Sequence, residues 1–311
     1  TAANNPNVTE GGLMGEWLLE QGLDEDRLIV ENAAPTTVGN ALNTYNLMGG
    51  FDGKTVHLKH YDDGFDGALG LEYTKQLVED DKVFALVGHF GTTTVAATID
   101  YIKEQGVPMV YAASGINDLY QEGAEGYNKS VMPVQPIYKT EGRVLFARAV
   151  AADGTGFGAK KVGVIYTTDD AGYGMYEGVK RQAEEISANA TVIASETSAT
   201  AGTNHASAVA KVKDCDVIII CANQNPFGEI LNYMRDASIN KKVITSYVSA
   251  NTTTLGALAQ AGSINADRPV FTNAWLDIAS TSYFYAPSTD NLVGTYLWTC
   301  YKALAAQLGV P

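Results

Sequence analysis

The sequence predicts an α/β fold built as two doubly wound lobes. Three observations carry this. Short apolar runs recur along the chain, each is followed by an amphipathic stretch of helical length, and the whole series occurs twice in succession. Strands that read as continuous apolar runs belong to parallel sheets covered on both faces, and the covering elements are the intervening helices. A chain of 311 residues is long enough for two such cores.

In the first series, Thr55–Tyr61 alternates with period two and reads as a strand. Gly67–Asp80 then sets Leu69, Leu71, Tyr73, Leu77 and Val78 at helical spacing. Val83–Val87 reads as a buried strand, Thr92–Glu104 as a helix and Pro108–Ala112 as a further strand. In the second series, helix Lys139–Ala152 leads to strand Lys161–Tyr166, helix Gly172–Ser187 and strand Ala190–Ala194. Helix Asn204–Lys213, strand Asp216–Ile220, helix Gly228–Ala237 and strand Lys242–Ser246 complete it. Arg27–Asn32 reads as the first strand of the chain and Asn291–Leu308 as its last helix, while residues 1–23 are left unplaced.

Composition narrows the function. The net charge is −14, from 21 basic and 35 acidic residues, and the basic residues are scattered. Such a surface repels phosphate backbones, which argues against nucleic-acid binding. Cys215, Cys221 and Cys300 form no C-x-x-C pair, and His57, His60, His89 and His205 show no metal-ligand spacing. Gly154-Thr-Gly-Phe-Gly158 precedes a strand, the reverse of a dinucleotide loop, and Ser114 has no G-x-S-x-G elbow around it. No cofactor, metal or catalytic residue is therefore expected. No apolar run reaches the roughly 18 residues of a membrane span.

Ligands of doubly wound sheets bind beyond the carboxyl ends of the strands. After Val87 come Gly88-His-Phe-Gly-Thr-Thr-Thr94, two glycines and then hydroxyls that open a helix. Helix starts attract carboxylates, and a threonine there also serves as a plain cap. The next strand ends in Tyr111-Ala-Ala-Ser-Gly115, bringing a second hydroxyl to the same edge. In the second series Tyr166-Thr-Thr-Asp-Asp-Ala-Gly-Tyr-Gly174 follows a strand; there Asp169 or Asp170 either caps the helix or faces a ligand, as does Tyr173.

Together with Gly49-Gly-Phe-Asp-Gly-Lys54, Tyr61-Asp-Asp63 and Tyr296-Leu-Trp-Thr-Cys-Tyr301, these motifs resemble, in order over residues 24–308, the periplasmic leucine/isoleucine/valine-binding protein family. The resemblance implies a type I periplasmic binding protein: two Rossmann-like lobes joined by crossing strands, with the ligand between them. Lobe one would hold residues 24–138 and 276–311, lobe two residues 139–275. It implies that Thr92 and Ser114 bind the ligand's carboxylate and that the carbonyl of Ala112 or Ala113 accepts from its ammonium. Phe90 and Gly91 line the same turn, Tyr173 and Asn223 come from the opposite lobe, and Tyr296 packs on the ligand side chain. Tyr247 stands where the family has an acid for the ammonium. Asp170 or Asp169 replaces that acid, or the ligand is a small carboxylate and not an amino acid.

The expected function follows: an extracytoplasmic solute-binding component of an ABC importer, in the periplasm or lipid-anchored at the cell surface. It would be a monomer that catalyses nothing and closes by a hinge, with a membrane permease and ATPase as partners. A ligand-sensing domain on the same fold is the alternative. Relative to the family, residues between Asn32 and Gly49 are too few for the usual first helix, and closing strands beyond residue 308 are missing.

Overall fold

A computed structural model of the chain describes residues 16–23, 42–43, 45–50, 52–133, 135–186, 189–249 and 252–272. The chain divides into two compact units, Thr1–Asp62 and Asp63–Pro311.

In the first unit a helical turn covers residues 16–20. A tight turn at residues 45–50 is fixed to the chain that follows it. The Asn46 amide donates to the Val56 carbonyl at 2.7 Å and accepts from the Val56 N–H at 2.8 Å. The strand expected over Thr55–Tyr61 is corrected here, because residues 55–62 have no regular secondary structure. Val56, Leu58 and Tyr61 are exposed, so neither alternating face is buried to set a register. The neighbouring strand expected at Arg27–Asn32 lies outside the described residues, as do Asn291–Leu308 and the crossing strands.

The second unit opens with α1 (Gly67–Lys75), continued by a π-helical turn at Gln76–Asp80. Next come β1 (Leu86–Val87), α2 (Thr92–Gln105), β2 (Met109–Ala112) and β3 (Val131–Pro133), followed by α3 (Tyr138–Val150). The second series runs β4 (Lys161–Thr167), α4 (Asp170–Glu185), β5 (Thr191–Thr197), α5 (Ala206–Val212) and β6 (Val217–Cys221). It ends with α6 (Gln224–Asp236), β7 (Lys242–Thr245), α7 (Thr252–Gln260) and β8 (Val270–Thr272).

Both sheets are parallel, ordered β1-β2-β3 and β5-β4-β6-β7-β8. The apolar run of β6 is buried at every position: Val217, Ile219 and Cys221 join one core cluster, while Ile218 and Ile220 join the other. Apolar residues on both faces of one strand are what helices on both sides of a sheet require. The order reverses at β4, which lies between β5 and β6, and a crevice forms beyond such a switch point.

Helices α3 and α4 cross in close contact, seated on glycine. A Cβ at Gly142 would lie 1.9 Å from the Met175 carbonyl oxygen, and one at Gly178 would lie 2.0 Å from that of Lys139. The backbones leave no room for a methyl group. Gly178→Ala is therefore expected to lower stability by about 2 kcal/mol despite alanine's better helix propensity, read as a lower urea midpoint. A raised midpoint would mean that propensity outweighs the contact.

Candidate functional site

The loops beyond β1 and β2 run side by side. Phe90 bridges to Ala113 in parallel register, the Ala113 N–H donates to the His89 carbonyl at 2.7 Å, and the Gly91 N–H donates to the Ala113 carbonyl at 3.2 Å. Gly91 ends this loop at φ +97°, and a Cβ there would meet the Phe65 ring at 2.9 Å, so glycine alone fits before α2. Phe65 and Phe90 pack edge to face, with ring centroids 5.5 Å apart, and Phe90 is 60% exposed.

Thr92 meets a third hydroxyl, that of Tyr138, while the Ser114 hydroxyl accepts from the Ile116 N–H at 3.3 Å. Thr92 Oγ1 lies 2.8 Å from the Tyr138 phenol oxygen, and the Ser114 hydroxyl and Gly115 backbone bear on that same oxygen. Burial raises the Tyr138 pKa from its ordinary value, opposed by these three groups, which favour its anion. Both Ser114 and Tyr138 are 1% exposed. Tyr138 is seated against two glycines: a Cβ at Gly115 would come within 2.7 Å of its ring, and one at Gly174 within 3.0 Å of its Cβ. Gly115 follows β2 and Gly174 lies in α4, so this ring joins the edges of both sheets.

At the switch point, Asp169 caps α4. Its Oδ1 accepts from the Gly172 N–H at 2.9 Å and from the Thr167 hydroxyl at 2.6 Å, and its Oδ2 accepts from the Asn223 amide at 3.3 Å. The loops beyond β4 and β6 are thereby tied together. Asp170 is raised in pKa by burial, then by the nearby carboxylates of Asp169 and Asp118. Tyr173 is 49% exposed and lies beside Tyr166, with centroids 5.7 Å apart. Tyr247 is turned inward, its hydroxyl donating to the Pro136 carbonyl at 3.2 Å. Tyr296 lies outside the described residues.

Two groups in this region are not apparent from the strand-end motifs. Glu141, one turn into α3, is buried and accepts from the Ser246 hydroxyl at 2.8 Å and the Tyr247 N–H at 2.9 Å. Asn117 receives the Lys139 N–H at 2.9 Å and donates to Glu177 at 3.2 Å. The available signal for Glu141 is an acid on the helix face that Leu145 and Ala149 otherwise make apolar. Among the described residues no group of acids, histidines and cysteines could hold a metal ion. No helix among them is long and apolar enough to cross a membrane.

A model of the periplasmic binding protein family matches residues 31–287, and the chain belongs to that family. Its α/β architecture of parallel sheets is the type I periplasmic binding protein fold. An amino acid binding protein of Pseudomonas aeruginosa is 25% identical over 148 residues, which are 47% of this chain and 37% of that protein. The branched-chain amino acid transporter substrate-binding protein LivJ of Streptococcus pneumoniae, solved with isoleucine, aligns with a TM-score of 0.61 at 21% identity. That alignment covers 78% of this chain and 66% of LivJ. A solute-binding protein of an ABC transporter from Rhodopseudomonas palustris BisB5, solved with 3,4-dihydroxybenzoic acid, aligns at 0.53 and 16% identity, over 67% of this chain and 56% of that one. The chain thus spans less than two thirds of the length of these relatives. The likeness to the two solved structures is one of fold.

His89 lies in the hydroxyl-bearing loop, its Nε2 3.2 Å from the Thr74 hydroxyl. Burial lowers its pKa, against the opposing carboxylate of Asp63. The unfolded chain therefore binds this proton more readily than the folded one. The stability His89 contributes is complete above about pH 6.5 and is lost as pH falls below that value. Urea midpoints taken from about pH 7 to 5 should fall less steeply for His89→Gln than for the wild type. An unchanged slope would assign the acid sensitivity elsewhere.

Proposed function

We propose that this chain is the solute-binding component of an ABC-type importer, acting outside the cytoplasm and taking a small carboxylate or amino-acid-like ligand. One observation carries the reading. Loops from the ends of two parallel sheets meet around Tyr138, one set bearing the Thr92 and Ser114 hydroxyls and the other the α4 start with Asp170 and Tyr173. Membership of the periplasmic binding protein family supports the solute-binding role. The ligands of the two solved neighbours, isoleucine and 3,4-dihydroxybenzoic acid, are both small carboxylic acids.

In this reading lobe one comprises residues 24–138 and 276–311 and lobe two residues 139–275. Phe90, Gly91, Thr92, Ala112, Ala113 and Ser114 contribute from the first lobe, and Tyr296 joins them. Asp170, Tyr173, Asn223 and Tyr247 contribute from the second. Closure of the lobes is what the permease and its ATPase would recognise, since a partner that contacts only the closed form shifts the population toward it. The protein acts as a monomer and carries out no chemistry on its ligand.

A thermal-shift screen with L-isoleucine, L-leucine, their deaminated analogues and 3,4-dihydroxybenzoate tests the ligand class. Stabilisation of about 2.7 kcal/mol is expected at a hundred times the dissociation constant. Small-angle scattering should show compaction with the stabilising acid. Tyr173→Ala should weaken binding about threefold to tenfold, as expected for loss of an aromatic contact, and reduce the compaction. A protein that no small acid stabilises or compacts would refute the reading.

A further inference from the structure

We infer that Tyr138 is the specificity-determining residue of the carboxylate pocket, because its phenol oxygen already takes the Thr92 hydroxyl that a ligand carboxylate would take, with its ring against Gly115 next to Ser114. The inference rests on the proposed reading of Thr92 and Ser114 as a carboxylate site. The geometry is that of an occupied pocket. The phenol oxygen lies 2.8 Å from Thr92 Oγ1, the ring packs against Gly115, and the neighbouring Ser114 hydroxyl is buried and accepts from the Ile116 N–H at 3.3 Å. Ser114 and Tyr138 are 1% exposed, so solvent does not share the pocket.

The side chain is built into place at its ring and at its Cβ. Gly115 and Gly174 each leave the room that a methyl group would fill, and the Tyr138 N–H bonds the Gly115 carbonyl. With its side chain buried and its phenol oxygen 2.8 Å from Thr92 Oγ1, Tyr138 occupies the meeting point of the two sheet edges. An acid must displace the phenol before it reaches the two hydroxyls. The cost of displacement falls on every acid alike and is recovered best by ligands that replace the lost ring contact, which favours acids with an aromatic or branched apolar body over small polar ones. A charged acceptor forms stronger hydrogen bonds than a phenol does, so the exchange is favourable for a carboxylate once the ring has moved.

Tyr138→Phe keeps the ring against Gly115 and removes the competing oxygen. Calorimetry with L-isoleucine, 3,4-dihydroxybenzoate and acetate should show binding about fivefold tighter than wild type for at least one of the three. Tyr138→Ala empties the pocket, and crystals grown in acetate should place a carboxylate between Thr92 and Ser114. If Tyr138→Ala does not fold, the Tyr138→Phe affinities decide alone. Unchanged or weaker binding in Tyr138→Phe would overturn the inference while leaving the importer reading intact, and so would its failure to bind all three probes. Acetate held between Thr92 and Ser114 in Tyr138→Ala, with wild type stabilised by no small acid, would uphold the pocket and count against the importer reading.

Discussion

A carboxylate removed from water is tolerated only where donors surround it, and Glu141 meets that requirement at the first turn of α3. Its partners are the Ser246 hydroxyl and the Tyr247 amide, both just beyond β7. One turn earlier, Tyr138 reaches the hydroxyls beyond β1 and β2. A single helix start thus holds the loops of three strands from two sheets. Their own burial raises the pKa of the neighbouring Cys221 and Tyr247, and the negative charge of Glu141 raises both further, so that both remain neutral. With neutral groups around it, the carboxylate keeps the loop beyond β7 in one position.

The remaining charges at this junction are mainly acidic. Asp118, Asp169 and Asp170 lie close enough for Asp170 to be harder to ionise, and Lys139 is paired with Glu177 at 2.6 Å. Acidic side chains therefore gather at the start of α4, where Asp169 is held by the Gly172 N–H and the Thr167 hydroxyl.

Elements whose burial is complete were legible in the sequence, and those held by pairing or by edges were not. The run at β6 and the helix at α2 lie close to where periodicity puts them. Val83–Val87 shortens to Leu86–Val87, with Phe84 left 94% exposed. β5 extends past Ala194 into Ser195, Glu196 and Thr197, since these pair in register with β4 although their side chains are polar. α7 begins with a threonine run of poor helix propensity, and β8 spans three residues, so neither announces itself. At the site, strand-end glycines and hydroxyls mark Gly91, Thr92 and Ser114. Tyr138 was hidden because the expected helix starts at Lys139, one residue too late to show Tyr138 and Glu141 on one face. Tyr247 is marked only by its place after β7; that its hydroxyl donates to the Pro136 carbonyl depends on tertiary packing that no local pattern shows.

The glycine seating of α3 on α4 has a mechanical corollary. Backbones in contact at Gly142 and Gly178 cannot slide past one another without separating, so the two helices travel as one body. That paired body also touches the loops beyond β1 and β2, through Tyr138 at Thr92 and through Asn117, which meets the Lys139 amide and Glu177. A push on either loop is therefore passed to two helices at once.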